Sequence, residues 1–212
     1  IDKVINRSLC DAGIQIGEID AVAVTDGPGL VGALLTGISC AKAISYSMNK
    51  PLISVDHLKA HIYSAIMIKN VPDFPFIGLV ISGGHTRLYL VKDFNSFELL
   101  GDTMDDAVGE AYDKVAKILG LGYPGGPIID RLAKKGNPKA IKFTCKAANN
   151  SLDFSFSGIK TAVLYCVQRQ GKTKKEDICA SFQESVLSVI VENSLKAMEN
   201  YKINSFVAGG GV

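Results

Sequence analysis

The sequence predicts a two-lobed α/β protein, and three observations carry that reading. Residues 20 to 55 run apolar strand, helix, apolar strand; residues 76 to 91 read as a strand hairpin; and a Pro-containing connector, "KNVPDFP" (69 to 75), separates the two patterns. A change from strand-helix-strand to hairpin places a boundary near Asp73, with a partial first lobe over 1–72 and a second lobe over 73–212.

Each element has its own local reason. Ile1, Val4, Ile5 and Leu9 recur at helical spacing and Gly13 supplies a stop. "DAVAVT" (20 to 25) reads as a short apolar strand of the kind buried between helices. The glycine turn "DGPGLVG" (26 to 32) leads into the helix "ALLTGISCAKAISYSM", and "PLISV" (51 to 55) is a second buried strand. Asp56 is an N-cap for the next helix, which carries His57 and His61.

Beyond the connector, "FIGLVIS" and "RLYLV" flank Gly83, Gly84, His85 and Thr86, a hairpin signal. "DDAVGEAYDKVAKILG" (105 to 120) is helical, and capping of that helix accounts for Asp105, Asp106 and Glu110 at its start. "YPGGP" (123 to 127) is a rigid turn, followed by a short helix with Pro at its start and Gly at its stop. A looser stretch, "FTCKAANNSLDFSFSG", precedes "IKTAVLYCVQRQ"; residues 176 to 201 form the longest helix, with Ile178, Phe182, Val186, Val189 and Ile190 as its apolar positions. "NSFVAGGG" closes the chain as strand plus glycine turn.

Hydrophobic content of 47% against 21% charged residues supports a sizeable core in 212 residues. No run approaches the roughly 18 consecutive apolar residues of a membrane span, and the opening "IDKVINRSLCDAG" lacks a signal peptide's apolar centre. The expectation is therefore a soluble, cytoplasmic protein. Five scattered cysteines without a CxxC pair argue against a disulfide framework or zinc knuckle and for reduced, mostly buried thiols. A net charge of +2 neither demands nor excludes a polyanionic partner, and "KTKK" (172 to 175) reads as a solvated face. Both ends look cut, so the chain is expected to be a fragment of a longer protein.

His57 and His61 lie four apart, on one helix face, close enough for both imidazoles to reach one metal ion. Such a pair also arises by chance, each ring hydrogen-bonding in or near a core. A zinc protease needs Glu after the first His, and Leu58 stands there instead. "GPGLVG" formally matches GxGxxG, with Asp56 where a dinucleotide fold puts its ribose acid, so a nicotinamide enzyme is a rival; the hairpin counts against it. "SGGHT" (82 to 86) offers bare backbone beside Ser82, His85 and Thr86, either an anion cradle or a plain tight turn. Asp113 and Asp130 flank "YPGGP" as candidate ribose contacts, and Lys160 is either a phosphate contact or a surface lysine at a helix start.

Taken together, "GPGLVGALLTG", "VDHLKAHI", "PFIGLVISGGHTRLYLV", "GDTMDDAVGEAYDKVAKILGLGYPGGP", "FSFSGIKTAV", "SFQESV" and "VAGGGV" resemble the tRNA threonylcarbamoyladenosine transferase family, earlier described as O-sialoglycoprotein endopeptidases. The stretches occur in family order over nearly the whole chain. The resemblance implies the actin, Hsp70 and sugar-kinase (ASKHA) type of fold: two lobes of mixed sheet flanked by helices, the first incomplete here, with a nucleotide in the cleft. It implies transfer of a threonylcarbamoyl group from threonylcarbamoyl-adenylate to N6 of the adenosine just 3′ of the anticodon, in tRNAs reading codons that begin with A. An ATP-dependent kinase, or a sialoglycoprotease-like activity, on the same fold is the alternative.

By the same resemblance, His57 and His61 fall on the metal ligands, the ion being iron (Fe2+), with zinc or magnesium as substitutes. Val80, Ile81, Ser82, Gly83 and Gly84 fall on the substrate-binding loop, and Asp113, Gly126 and Asp130 on further nucleotide-side contacts. The family's first strands are expected before Ile1, and the aspartate completing the metal site, with an asparagine near the adenine, after Val212; the fragment alone is expected to be inactive. Implied partners are tRNA, threonylcarbamoyl-adenylate, a related non-catalytic paralogue subunit and a small ATPase.

Overall fold

A computed structural model describes residues 1–67, 72–145, 151–169 and 173–212. The readings above for the first part of the connector, for 146–150 of the looser stretch and for Lys172 of "KTKK" lie outside the described residues. Contacts divide the chain into two units, Ile1–Tyr63 and Ser64–Val212.

In the first unit, α1 (Asp2–Ala12) stops at Gly13, whose φ of 68° is a conformation that a side chain disfavours. β1 (Val22–Gly27) leads through the glycine turn into α2 (Val31–Met48), and β2 (Leu52–Asp56) returns parallel to β1, Val22 opposite Leu52. This is the strand-helix-strand unit of the sequence pattern, yet neither strand is buried as expected: no residue of β1 or β2 is fully covered. Among the described residues this sheet has two strands, and α2 packs chiefly on β1, so Leu52 and Ile53 stay 39% and 49% exposed. α3 (His57–Ile66) begins as β2 ends.

The second unit is built on a four-stranded sheet in the order β5-β4-β3-β6. β3 (Phe76–Ile81) and β4 (Thr86–Val91) form the expected antiparallel hairpin, closing at Ile81 opposite Thr86. β5 (Phe97–Asp102) adds an antiparallel edge strand that sequence pattern missed, because its partly exposed "FELLGD" shows no clean alternation. β6 (Phe206–Gly210) pairs parallel to β3 on the other side. Every residue of β3 up to Val80 is buried, as a central strand covered on both faces requires.

Four helices complete this unit: α4 (Val108–Ile118), α5 (Gly125–Ala133), α6 (Ser157–Arg169) and α7 (Lys175–Tyr201). The apolar positions expected on the longest helix, Ile178, Phe182, Val186, Val189 and Ile190, are all buried. They join Ile77 and Leu79 of β3, Leu88 of β4 and the stacked rings of Phe154 and Phe156, 5.9 Å apart, in one core. Each such side chain contributes about 1.5–3 kcal/mol by leaving water. α5 starts earlier than its proline signal suggests, at Gly125, leaving Pro127 in the third position.

The acidic residues expected to cap α4 do something else. Ala107 occupies the α4 N-cap in an extended conformation, and the Val108 N–H donates to the buried Thr86 hydroxyl at 2.9 Å. Asp105 instead caps α6: it accepts the N–H groups of Phe156 and Ser157 at 2.7 and 3.2 Å and the hydroxyls of Ser155 and Ser157 at 2.6 and 2.8 Å. Asp106 accepts from Lys114 at 2.5 Å and from Lys160 at 3.1 Å, so the lysine considered as a phosphate contact is an ion-pair partner here. Only Glu110 lies in the first turn of α4. Sequence distance hides this arrangement, since Asp105 and Phe156 are brought together by the sheet and not by local chain geometry.

Among the described residues no helix is long and apolar enough to cross a membrane. None of the five cysteines forms a disulfide; Cys166 and Cys179 are buried, Cys40 and Cys145 partly so, and Cys10 is exposed.

Burial alone would raise the Asp105 carboxyl, but the hydrogen bonds from Ser155, Phe156 and Ser157 outweigh it and hold the group below the ordinary carboxylate range. A depressed carboxyl contributes stability above its unfolded value near pH 4, and that stability is lost as pH falls through the lower folded value. Amides in the first turn of α6 are therefore expected to lose hydrogen-exchange protection at acid pH before those of β3. Asp105→Ala should destabilise the second unit by about 0.5–2 kcal/mol on urea titration; an unchanged midpoint would show that the cap is dispensable.

Candidate functional site

The histidine helix begins where β2 ends because Asp56 terminates one element and starts the other. Its carboxylate oxygen accepts the N–H groups of Leu58 and Lys59 at 2.8 and 2.9 Å, the N-cap expected from sequence. That use commits one Asp56 carboxylate oxygen to the start of α3. With the antiparallel pairing of β3 and β4, it disfavours the dinucleotide reading of "GPGLVG".

One helical turn apart, the His57 and His61 rings lie edge to face with centroids 4.6 Å apart. Leu58 and Ile62 beside them are 1% and 0% exposed, whereas His57 is exposed and His61 half-buried. Partial burial, then the neighbouring His57, lower the His61 pKa, favouring the neutral ring that binds metals. Two imidazoles on one face fit two positions of a metal's coordination sphere. Among the described residues no group of three His, Cys, Asp or Glu gathers to hold an ion.

The second unit carries a separate cleft of about 490 Å3. One wall comes from the end of β3 and its turn (Ile81, Gly83), one from α4 (Val108, Gly109, Tyr112, Asp113), one from the start of α5 (Gly126, Asp130), and one from α7 (Gln183, Leu187, Ile190). Close backbone approach builds these walls. A Cβ on Gly109 would stand 2.8 Å from the Gly83 Cα and 2.9 Å from the Ser82 carbonyl oxygen, so α4 meets the β3–β4 turn only through a bare backbone. A Cβ on Gly125 would sit 2.6 Å from that of Ala116, which presses α5 against α4. At Gly83, Gly126 and Gly211 an added Cβ would meet nothing within 4 Å; these glycines face open space.

Two carboxylates edge the cleft. Asp113 accepts the Gly125 N–H at 2.7 Å, at the first turn of α5. Asp130 accepts from Lys134 at 2.7 Å and from the Gln183 side-chain amide at 3.3 Å. The Lys134 bond, then the Gln183 bond, hold the Asp130 carboxyl below the ordinary range, so it is an acceptor at neutral pH. Burial, with Asp130 nearby, pushes the Tyr112 phenol up, and its ring packs edge to face on Phe182 at 4.9 Å. Apolar walls with two fixed acceptors suit a flat ring carrying hydroxyl donors, as in a nucleoside.

Of the residues singled out in the sequence, the structure brings Ile81, Gly83, Asp113, Gly126 and Asp130 to this cleft. Val80 is fully buried in β3, and Gly84 lies outside the lining. The Ser82 hydroxyl is engaged in the turn, accepting the His85 N–H at 3.0 Å. Gln183, Tyr112 and Leu187 were not foreseen. Gln183 follows the buried Phe182, and only a polar residue bordering an apolar helix face hints at its place.

A family model described as TsaD, tRNA N6-adenosine threonylcarbamoyltransferase, matches residues 1–212. Curated proteins of that name are similar throughout: 50% identical over 99% of this chain in Symbiobacterium thermophilum, 50% over all of it in Persephonella marina, and 49% over all of it in Clostridium kluyveri. The chain spans 62 to 64% of the length of these relatives. Among solved structures, full-length HypF in a phosphate- and nucleotide-bound form superposes with a TM-score of 0.71 at 16% identity, over 99% of this chain and 42% of that one. HypF from T. kodakarensis gives 0.70 at 13%, over 94% and 35%; both likenesses are of fold. Matched along its whole length by the family model and by relatives near half identity, the chain belongs to the tRNA N6-adenosine threonylcarbamoyltransferase family.

Proposed function

We propose that the protein of which this chain is part transfers the threonylcarbamoyl group from threonylcarbamoyl-adenylate to N6 of the adenosine just 3′ of the anticodon, in tRNAs reading codons that begin with A. One observation carries the reading: a glycine-floored cleft in the second unit with Asp113 and Asp130 fixed at its edge as acceptors. The adenylate's ribose hydroxyls donate to these carboxylates while Val186, Leu187 and Ile190 of α7 shield its flat base from water. In the reaction the N6 lone pair attacks the carbamoyl carbonyl carbon, the bond from that carbon to the phosphate oxygen breaks, AMP departs, and N6 gives up a proton. The kinase and sialoglycoprotease alternatives are not favoured, given the family match along all 212 residues.

His57 and His61 supply two imidazole ligands to a metal ion, iron in this proposal. When bound, such an ion acts as a Lewis acid toward a carbonyl or phosphate oxygen. Protein partners, a non-catalytic paralogue and a small ATPase, belong to the same proposal. Exposed Leu30, Val31 and Leu35 at the start of α2 provide apolar surface of the sort protein partners cover. The working compartment proposed is the cytoplasm, where tRNA is found.

Two experiments on the full-length enzyme test this reading. Asp130→Asn and Asp113→Asn should each weaken binding of a non-hydrolysable threonylcarbamoyl-adenylate analogue by about 10- to 100-fold, the worth of a hydrogen bond to a charged group. Calorimetry giving wild-type affinity for both variants would remove the cleft from the mechanism. The double variant His57→Ala, His61→Ala should lose stoichiometric metal by elemental analysis and lose transfer to unmodified tRNA, with the fold retained by circular dichroism. Undiminished metal content would assign the ion elsewhere.

A further inference from the structure

A cluster of cations in the second unit lies beside the cleft. Three chain segments meet there. The Lys175 ammonium donates to the Leu119 carbonyl at 2.7 Å, joining the start of α7 to the end of α4. The Asn137 N–H donates to Asp177 at 2.8 Å and the Ile141 N–H to the Ser181 hydroxyl at 3.1 Å, laying the loop after α5 along the first turns of α7. Gly136 allows that contact, since a Cβ there would fall 2.0 Å from the Glu176 carbonyl oxygen.

Residues 117–122, 131–142 and 174–177 thereby place eight lysines and arginines together with only two carboxylates, Glu176 and Asp177, in a chain whose net charge is +2. All eight cations are exposed. Lys134 is paired with Asp130 at the rim of the cleft. No ion pair among the described residues engages Lys117, Arg131, Lys135, Lys139, Lys142 or Lys174. Uncompensated like charges at one place repel each other and gain most from a polyanion.

Geometry connects this end to the cleft. Gln183 on the cleft wall and Lys174 at the start of α7 are about 13 Å apart along the helix at about 1.5 Å per residue. A second hollow of about 500 Å3 shares Asp113 with the cleft and is lined also by Glu110, Lys114, Lys117 and Tyr123, the last 83% exposed. An exposed aromatic ring among lysines suits single-stranded nucleic acid, whose bases stack while its phosphates meet the cations. An acidic protein would use the charge but not the ring.

We propose that this basic end of the second unit, from Lys117 through Lys135 and Lys139 to Lys174, grips the tRNA backbone around the anticodon loop, and that Tyr123 stacks on a loop base next to the adenosine entering the cleft. The inference rests on the transferase reading and names the surface through which its macromolecular substrate is held. Because these side chains are exposed and outside the core, their removal leaves the fold intact.

The test uses the full-length enzyme in its native assembly, with assembly checked by size-exclusion chromatography. Binding of labelled unmodified tRNA is measured across a salt series for wild type, Lys135→Ala/Lys139→Ala/Lys174→Ala, and Tyr123→Ala. The triple variant should bind tRNA about tenfold or more weakly, and its log affinity against log salt should lose about 2 to 3 units of slope, at roughly 0.7–0.9 per phosphate contact. Tyr123→Ala should weaken binding with the slope unchanged. Affinity for the adenylate analogue should stay at the wild-type value in both. Wild-type tRNA affinity and slope in the triple variant would overturn the proposal, as would loss of a protein subunit with tRNA affinity unchanged, which assigns the surface to that subunit. If the wild-type enzyme neither binds tRNA nor modifies it, the transferase reading itself fails; sensitivity of transfer to Asp130→Asn beside insensitivity to the lysines sinks only this surface.

Discussion

Everything in the second unit is arranged around the end of β3, where three stretches of bare backbone converge. Gly210 of β6 runs so close to the Ile81 carbonyl that any side chain there would overlap it, and its φ of 137° excludes most residues as well. The Gly211 N–H then bonds that carbonyl at 3.1 Å. From the other side Gly109 brings α4 onto Ser82 and Gly83. With two neighbours pinned at van der Waals contact, the strand end, the first turn of α4 and the β6 turn form a rigid floor. The cleft is the space left above it.

Rigid walls are made by two different means. Buried hydrocarbon from α7 and the sheet fixes where the helices lie, but it is indifferent to small rotations. Directional polar contacts remove that freedom: Thr86 on the Val108 amide, Asp113 on the Gly125 amide, Asp105 on the start of α6. Each joins an element to one distant in sequence, and each satisfies a helix-end amide that would otherwise be left without an intrahelical partner. The carboxylates available for a ligand's hydroxyls are thus already oriented before one arrives, so less ordering entropy is lost on binding.

Charge follows the same division of labour. Asp106 and Glu110 together hold Lys114 and Lys160, two carboxylates against two ammonium groups, a closed local balance. The loop after α5 and the start of α7 are the opposite case, with cations outnumbering carboxylates and few internal partners. A surface with an excess of cations thus lies next to a cleft edged by acceptor carboxylates, so the two kinds of charge are kept on adjoining but different parts of the unit.

Much of this was legible in one dimension. Periodicity located the long helix and its five buried apolar positions, the hairpin followed from two apolar runs around a glycine turn, and the Asp56 cap and the shared face of His57 and His61 depend only on neighbours within four residues. Motifs in family order pointed to Val80, Ile81, Ser82, Gly83, Gly84, Asp113, Gly126 and Asp130, of which Ile81, Gly83, Asp113, Gly126 and Asp130 line one cleft. Local rules failed where partners are remote. Asp105 looks like a cap for the helix that follows it, yet its partners lie about 50 positions later; β1 and β2 look buried, but burial depends on how many strands and helices cover them. The sequence alone determined the type of most elements, the Asp56 cap and the family, because these depend on spacing along the chain. Only the tertiary structure decided which carboxylate faces the cleft, which one is consumed in an ion pair, and where Gln183 and the lysines gather, because those outcomes depend on which distant segments the sheet and core bring within hydrogen-bond reach.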